Sequence, residues 1–256
     1  SLSNTGLEHI DKSLSSYFGS NLTLASIILI DYHQKPNSPR FVDYNNFYPG
    51  MMYKMHTELP LISYLKKANS SFIWSGNIKG ICIPSNKWSC INLTNDFFTR
   101  NLFKFYLTTV LPKIHQRFHR YTESQDSIDK FLKYIDKNGL PKTPFFAFIH
   151  HTSPHYPYLY TNECEPANYF RRNYEGYTAA YQCALKKVQM FMEKINSIDP
   201  EAIVVFQSDH GWNRLDLEMT EKEKYQFRGK IFNAIKAPEI CMDKYGLPKT
   251  NVNTIR

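Results

Sequence analysis

Three short apolar runs interrupt an otherwise mixed chain: 72–74 (Phe-Ile-Trp), 145–149 (Phe-Phe-Ala-Phe-Ile) and 202–206 (Ala-Ile-Val-Val-Phe). Each is too short for a helix and rich in aromatic or β-branched residues, the pattern of a buried strand. Residues 101–119, 125–138 and 174–198 instead carry apolar side chains at helical spacing, and a helix is predicted over each. Residues 20–28 follow a glycine, Gly19, and read as an apolar helix with Ser20 at or near its N-cap. Strands alternating with helices predict an α/β fold, a three-layer α/β/α sandwich with a mostly parallel central sheet. No repeat, low-complexity segment or linker divides the chain, so a single domain over 1–256 is expected.

In open sheets of this kind ligands bind beyond the carboxyl ends of the strands, and two of the predicted strands run directly into reactive side chains. The last apolar run stops at Ser208-Asp209-His210-Gly211. A carboxylate oxygen and an imidazole nitrogen are ligands suited to Zn²⁺ or Mn²⁺, and a glycine after them lets the backbone turn so that both can converge. Asp209 and His210 are therefore candidate metal ligands, although an Asp-His pair after a strand is also an ordinary polar turn. The run 145–149 continues into His150-His151-Thr152-Ser153-Pro154-His155-Tyr156-Pro157. Histidines held by prolines at a strand end can form a preorganised rim for an anion. His155, fixed between Pro154 and Pro157, is the stronger candidate; His151 reads more readily as a loop residue packed on aromatics. Ser20, at a helix start, is placed to attack a bound phosphate or sulfate, or is an ordinary capping residue.

Charge and cysteines narrow the partners only slightly. The chain has 31 Lys+Arg against 23 Asp+Glu, a net charge of +8 that permits anionic partners. Its basic pairs, Lys66-Lys67, Arg171-Arg172 and Lys186-Lys187, are scattered, and no long basic run is interleaved with aromatics, so nucleic acid is not an expected partner. No apolar run reaches the roughly 18 residues of a membrane span. The cysteines are 82, 90, 164, 183 and 241, odd in number and without a CxxC pair. A Cys82–Cys90 bridge is the pairing considered for an extracytoplasmic setting.

Three segments in this order resemble the sulfatase-like branch of the alkaline phosphatase superfamily, which includes lipoteichoic acid synthases and phosphoethanolamine transferases. They are the hydroxyl-bearing helix 20–28, the His-rich 151–157 and, above all, Phe206-Gln207-Ser208-Asp209-His210-Gly211; 232–234 and 251–256 add support. The resemblance implies that Asp209 and His210 ligate a divalent metal, Zn or Mn. It implies that Ser20 is the nucleophile and also contacts the metal, and that His155 and His151 hold the substrate's anionic group. It further implies a hydrolase or phospho-group transferase acting on phosphate or sulfate esters, on an envelope lipid or glycan, at the extracytoplasmic face of a membrane-anchored protein. The alternative is a catalytically inactive module of the same fold that binds anionic glycans or lipid headgroups.

Two departures shape these expectations. Formylglycine sulfatases resemble Cys/Ser-x-Pro-x-Arg at the nucleophile, and Ser20-Asn21-Leu22-Thr23-Leu24 has neither the proline nor the arginine. That tilts the expectation toward phosphate esters. The family also supplies a metal-binding Asp or Glu upstream of the nucleophile, where this chain has only Glu8 and Asp11. With Ser1 in place of a methionine, a piece of a longer chain, shortened at both ends, is expected.

Overall fold

The computed structural model describes residues 4–30, 60–76, 88–92, 127–155, 158–171, 173–212 and 220–245. The helix expected at 101–119, the segment 251–256 and Cys82 lie outside the described residues. The chain divides into two compact units: residues 65–191 form one, and 1–64 with 192–256 form the other. The boundaries fall within the helices α2 (Pro60–Lys67) and α4 (Tyr174–Ile198).

In the continuous unit, strand β2 (Ser71–Gly76) lies between β3 (Trp88–Asn92) and β4 (Phe145–Ile149), parallel to both. A strand paired on both edges is apolar throughout, and Phe72, Ile73 and Trp74 are all buried. Trp74 stacks on Phe148 at 5.3 Å and Phe72 on Phe146 at 6.1 Å across the ladder. Helix α3 (Ser127–Asn138) buries Ile128, Phe131 and Ile135, the i, i+3, i+7 stripe its sequence spells. Phe131 meets Phe191 of α4 at 5.9 Å, and Asp129 pairs with Lys187 at 2.7 Å. The antiparallel hairpin of β5 (Tyr158–Tyr160) and β6 (Pro166–Arg171) is bonded to α4 by a Cys164–Cys183 disulfide. Cysteine pairing is a tertiary property, and the bond falls on two cysteines whose spacing carried no signal.

The discontinuous unit holds the sheet β1-β8-β7, from β1 (Glu8–His9), β8 (Asn233–Lys236) and β7 (Val204–Gln207), with both pairings antiparallel. The fold is α/β, but the expected parallel pairing holds only in the continuous unit. Strand-helix alternation leaves strand direction open, and here α5 (Glu221–Gly229) returns the chain beside β7 in the opposite sense. The middle strand β8 buries Asn233, Ala234 and Ile235. Helix α1 (Ser20–Leu29) buries Leu24 and Ile28, and a short α6 (Glu239–Tyr245) follows β8. Among the described residues no helix is long and apolar enough to cross a membrane.

Candidate functional site

The N-cap of α1 is Gly19, in extended conformation, so Ser20 is the first helical residue and not the cap. Its hydroxyl faces His210: Ser20 Oγ lies 3.4 Å from His210 Nε2. Asp209 Oδ2 lies 3.5 Å from the same nitrogen. An oxygen, a nitrogen and a carboxylate from chain positions 190 residues apart thus converge at one point.

The tautomer of His210 follows from its other nitrogen. Nδ1 lies 2.7 Å from the carbonyl oxygen of Gly211, and a carbonyl can only accept, so Nδ1 carries the hydrogen. In the neutral ring Nε2 then presents a lone pair toward Ser20 and Asp209. A carboxylate oxygen facing a lone-pair nitrogen is stabilised by a shared cation, and a ring N–H fixed on a backbone carbonyl is the usual support of a ligating histidine. The chemistry of Asp209, His210 and the Ser20 oxygen is that of a donor set a divalent cation could share. Among the described residues no group of three or more His, Cys, Asp or Glu side chains gathers there, and the hydroxyl is the third oxygen or nitrogen donor that the described geometry brings to the pair.

Backbone ties hold the three groups in register. The Asp209 carboxylate accepts from the His210 N–H at 2.9 Å. Its main-chain carbonyl accepts from Thr23 Oγ1 at 3.2 Å and lies in hydrogen-bond contact with Ser15 Oγ. Residues on both sides of Ser20 are therefore fastened to the one peptide that carries Asp209. Gly211 N donates to the Arg228 carbonyl at 2.7 Å, and Arg228 Nη2 donates to the Phe18 carbonyl. The glycine is required by close approach: a Cβ on Gly211 would stand 2.3 Å from the Phe227 carbonyl oxygen and 2.7 Å from that of Lys230.

His151 and His155 belong to the continuous unit. There the loop after β4 contains the cis Ser153–Pro154 peptide, His155 N donates to the Thr152 carbonyl at 2.6 Å, and His155 is exposed. His150 stacks on Trp74 at 6.4 Å, a packing role. Glu8 lies exposed on β1, and Asp11 pairs with His9 at 3.0 Å. Sequence reasoning missed Thr23, Ser15 and Arg228. Thr23 had one available signal, its position one helical turn beyond Ser20; Arg228 had none.

A serine at a helix start facing an Asp-His pair at a strand end, in an α/β chain, is the arrangement against which known families can be compared. The sulfatase family model matches residues 14–236, and the chain belongs to that family. Among solved structures it is similar to the C-terminal periplasmic domain of EcEptC from Escherichia coli, with 12% identity and a TM-score of 0.55 over 94% of this chain and 65% of that one. The same domain in complex with Zn gives 0.56. Ps i-CgsB in complex with k-i-k-neocarrahexaose gives 13% identity and 0.50, over 92% of this chain and 59% of that one. The chain thus spans 59–65% of the length of these neighbours. No curated protein matches it.

Proposed function

We propose that residues 1–256 form the greater part of one catalytic domain acting on phosphate or sulfate esters, with Ser20 as nucleophile and Asp209 and His210 as metal ligands. The observation that carries this reading is the convergence of Ser20 Oγ and Asp209 Oδ2 on His210 Nε2, at 3.4 and 3.5 Å. A bound Zn²⁺ or Mn²⁺ supplies charge that favours the ionised hydroxyl and neutralises the transferring oxygens. Ser20, in the first turn of α1, presents its oxygen for in-line attack. The bond from that oxygen to phosphorus or sulfur forms as the bond to the substrate's alcohol oxygen breaks, and the alcohol leaves with a proton. Water or an acceptor hydroxyl then cleaves the covalent ester on Ser20, giving hydrolysis or transfer. Asp209 and His210 stay fixed through their backbone bonds, so little reorganisation accompanies the step. Holding the substrate's anionic group is assigned to His155 and His151 on the family pattern alone. The absence of Pro and Arg after Ser20 favours phosphate over sulfate esters.

The Cys164–Cys183 disulfide supports an oxidising, extracytoplasmic location, in keeping with a structural neighbour that is a periplasmic domain. We extend this to a membrane-anchored full-length protein acting on an envelope lipid or glycan. The deciding experiment incubates the protein with a phosphomonoester and Mn²⁺ or Zn²⁺ and maps the covalent adduct by mass spectrometry. A phosphoryl group on the Ser20 peptide, absent in Ser20→Ala, is expected; turnover undiminished in Ser20→Ala overturns the assignment. Among the described residues no third His, Cys, Asp or Glu joins Asp209 and His210, which favours one rival, an inactive module that binds anionic glycans or lipid headgroups. Glycan binding with no turnover under either metal is its signature.

A further inference from the structure

Beside Ser20 the chain carries an aromatic surface that the reaction chemistry leaves unexplained. Phe18 lies two residues before the nucleophile and remains 37% exposed; Tyr225 of α5 is 56% exposed, and their ring centroids are 5.5 Å apart at a 37° tilt. The rings are held in place. A Cβ on Gly229 would stand 3.4 Å from Phe18 Cε1 and 3.9 Å from Leu14 Cδ2, so Phe18 packs on the end of α5. The Arg228 guanidinium sits 5.9 Å from the centre of the Phe18 ring while bonded to the Phe18 carbonyl.

Gly19 joins Phe18 to Ser20, its φ of −149° suits any residue, and no described atom lies within 4 Å of where its Cβ would be. Neither backbone strain nor crowding among the described residues demands a glycine there, and its small size leaves clearance beside the Ser20 hydroxyl.

We propose that Phe18 and Tyr225, edged by Arg228, bind the alcohol portion of the ester, and that this portion is a sugar ring. The two rings touch and form a small apolar platform, bordered by a phenol hydroxyl and a cation. That combination suits the apolar C–H face and polar rim of a pyranose; an alkyl chain would call for a longer uninterrupted groove. The cation also suits a sugar that bears a negative charge.

The inference rests on Ser20 as the reacting group, and its test separates the two. The kcat/KM for glucose 6-phosphate is divided by that for ethyl phosphate, which has the same ester and no ring, in the wild type, Tyr225→Ala and Phe18→Leu. The ratio is expected to fall about tenfold in each variant, through KM for the sugar ester; a ratio within about twofold of the wild type overturns the proposal. If the wild type turns over neither ester, the catalytic reading fails and saturation-transfer NMR with glucose 6-phosphate decides the subsite. Sugar signals lost in Tyr225→Ala support it, and equal signals, or none in the wild type, overturn it.

Discussion

Two strand ends that look alike on paper are built differently. After β4 the chain presents His150 and His151; after β7 it presents Asp209 and His210. The first end is shaped by packing. His150 lies on Trp74, its N–H donates to the Ser75 carbonyl at 2.8 Å, and Ser153 Oγ donates to the Ala180 carbonyl at 3.3 Å. The second end is shaped by hydroxyls brought from segments nearly two hundred residues away: those of Ser15 and Thr23 bond the Asp209 carbonyl, and that of Ser20 faces the imidazole. Titratable residues at two strand ends are therefore held in two different ways, and the second commits more distant side chains to fixing its turn.

The sharpest way to break that contrast is Asp209→Ala. Phosphoester turnover is expected to fall by about 10³-fold or more, with metal affinity falling alongside in calorimetry. His155→Ala is expected to raise KM by about tenfold with a smaller change in kcat. A loss as large as that of Asp209→Ala would make the two ends equivalent.

The glycines next to the two ends supply a comparison of stability. Gly211→Ala drives a Cβ against main-chain carbonyls that cannot step aside, whereas at Gly76 the nearest atoms, at 2.7 Å and beyond, belong to the side chains of Trp74 and His150. Gly211→Ala should destabilise by about 3 kcal/mol, and Gly76→Ala by roughly half as much, in denaturant titrations. The reverse order would mean that the Asp209 turn is the more pliant of the two.

A finer probe is Thr23→Val, which keeps the shape of a fully buried side chain and removes its donor to the Asp209 carbonyl. About 1 kcal/mol of stability and roughly tenfold in kcat are expected to be lost, and Thr23→Ser should restore both. The smallest effect belongs to the far end of α5. Thr220 and Glu223 form a reciprocal capping box, whose bonds from the Thr220 side chain and backbone hold the Glu223 carboxyl below its ordinary value of 4.5. A depressed carboxyl stabilises the fold at pH above its unfolded value and loses that contribution as pH falls through the folded one. Thr220→Ala should lower Tm by about 2–4 °C at neutral pH. The gap to the wild type should narrow below about pH 4.5.

Local pattern carried the elements well. The aromatic run 145–149 is β4 residue for residue, and the helical spacing over 174–198 is α4. The expected strand at 202–206 starts later, at Val204, because Ala202 N–H closes a turn on Asp199 at 3.1 Å. Ser20, Asp209 and His210 were legible because hydroxyl, carboxylate and imidazole sit at a helix start and a strand end, where secondary structure already predicts convergence. Strand direction, the Cys164–Cys183 pairing and the Ser15 and Thr23 bonds were not legible. Each is decided by which distant segments meet, and periodicity within a window carries no information about that.

The nested arrangement of the units also orders the protein's assembly in time. Residues 65–191 are contiguous, so during synthesis they can fold, and join Cys164 to Cys183, while the partners of Ser20 have yet to be made. The segment around Ser20 then has to wait for Asp209 and His210, closing a loop of 190 residues, a slow kind of contact to form. The cluster of Ser20, Asp209 and His210 thus forms only after the intervening unit has had time to fold, and until β7 arrives the emerging chain carries Ser20 without the two side chains it faces.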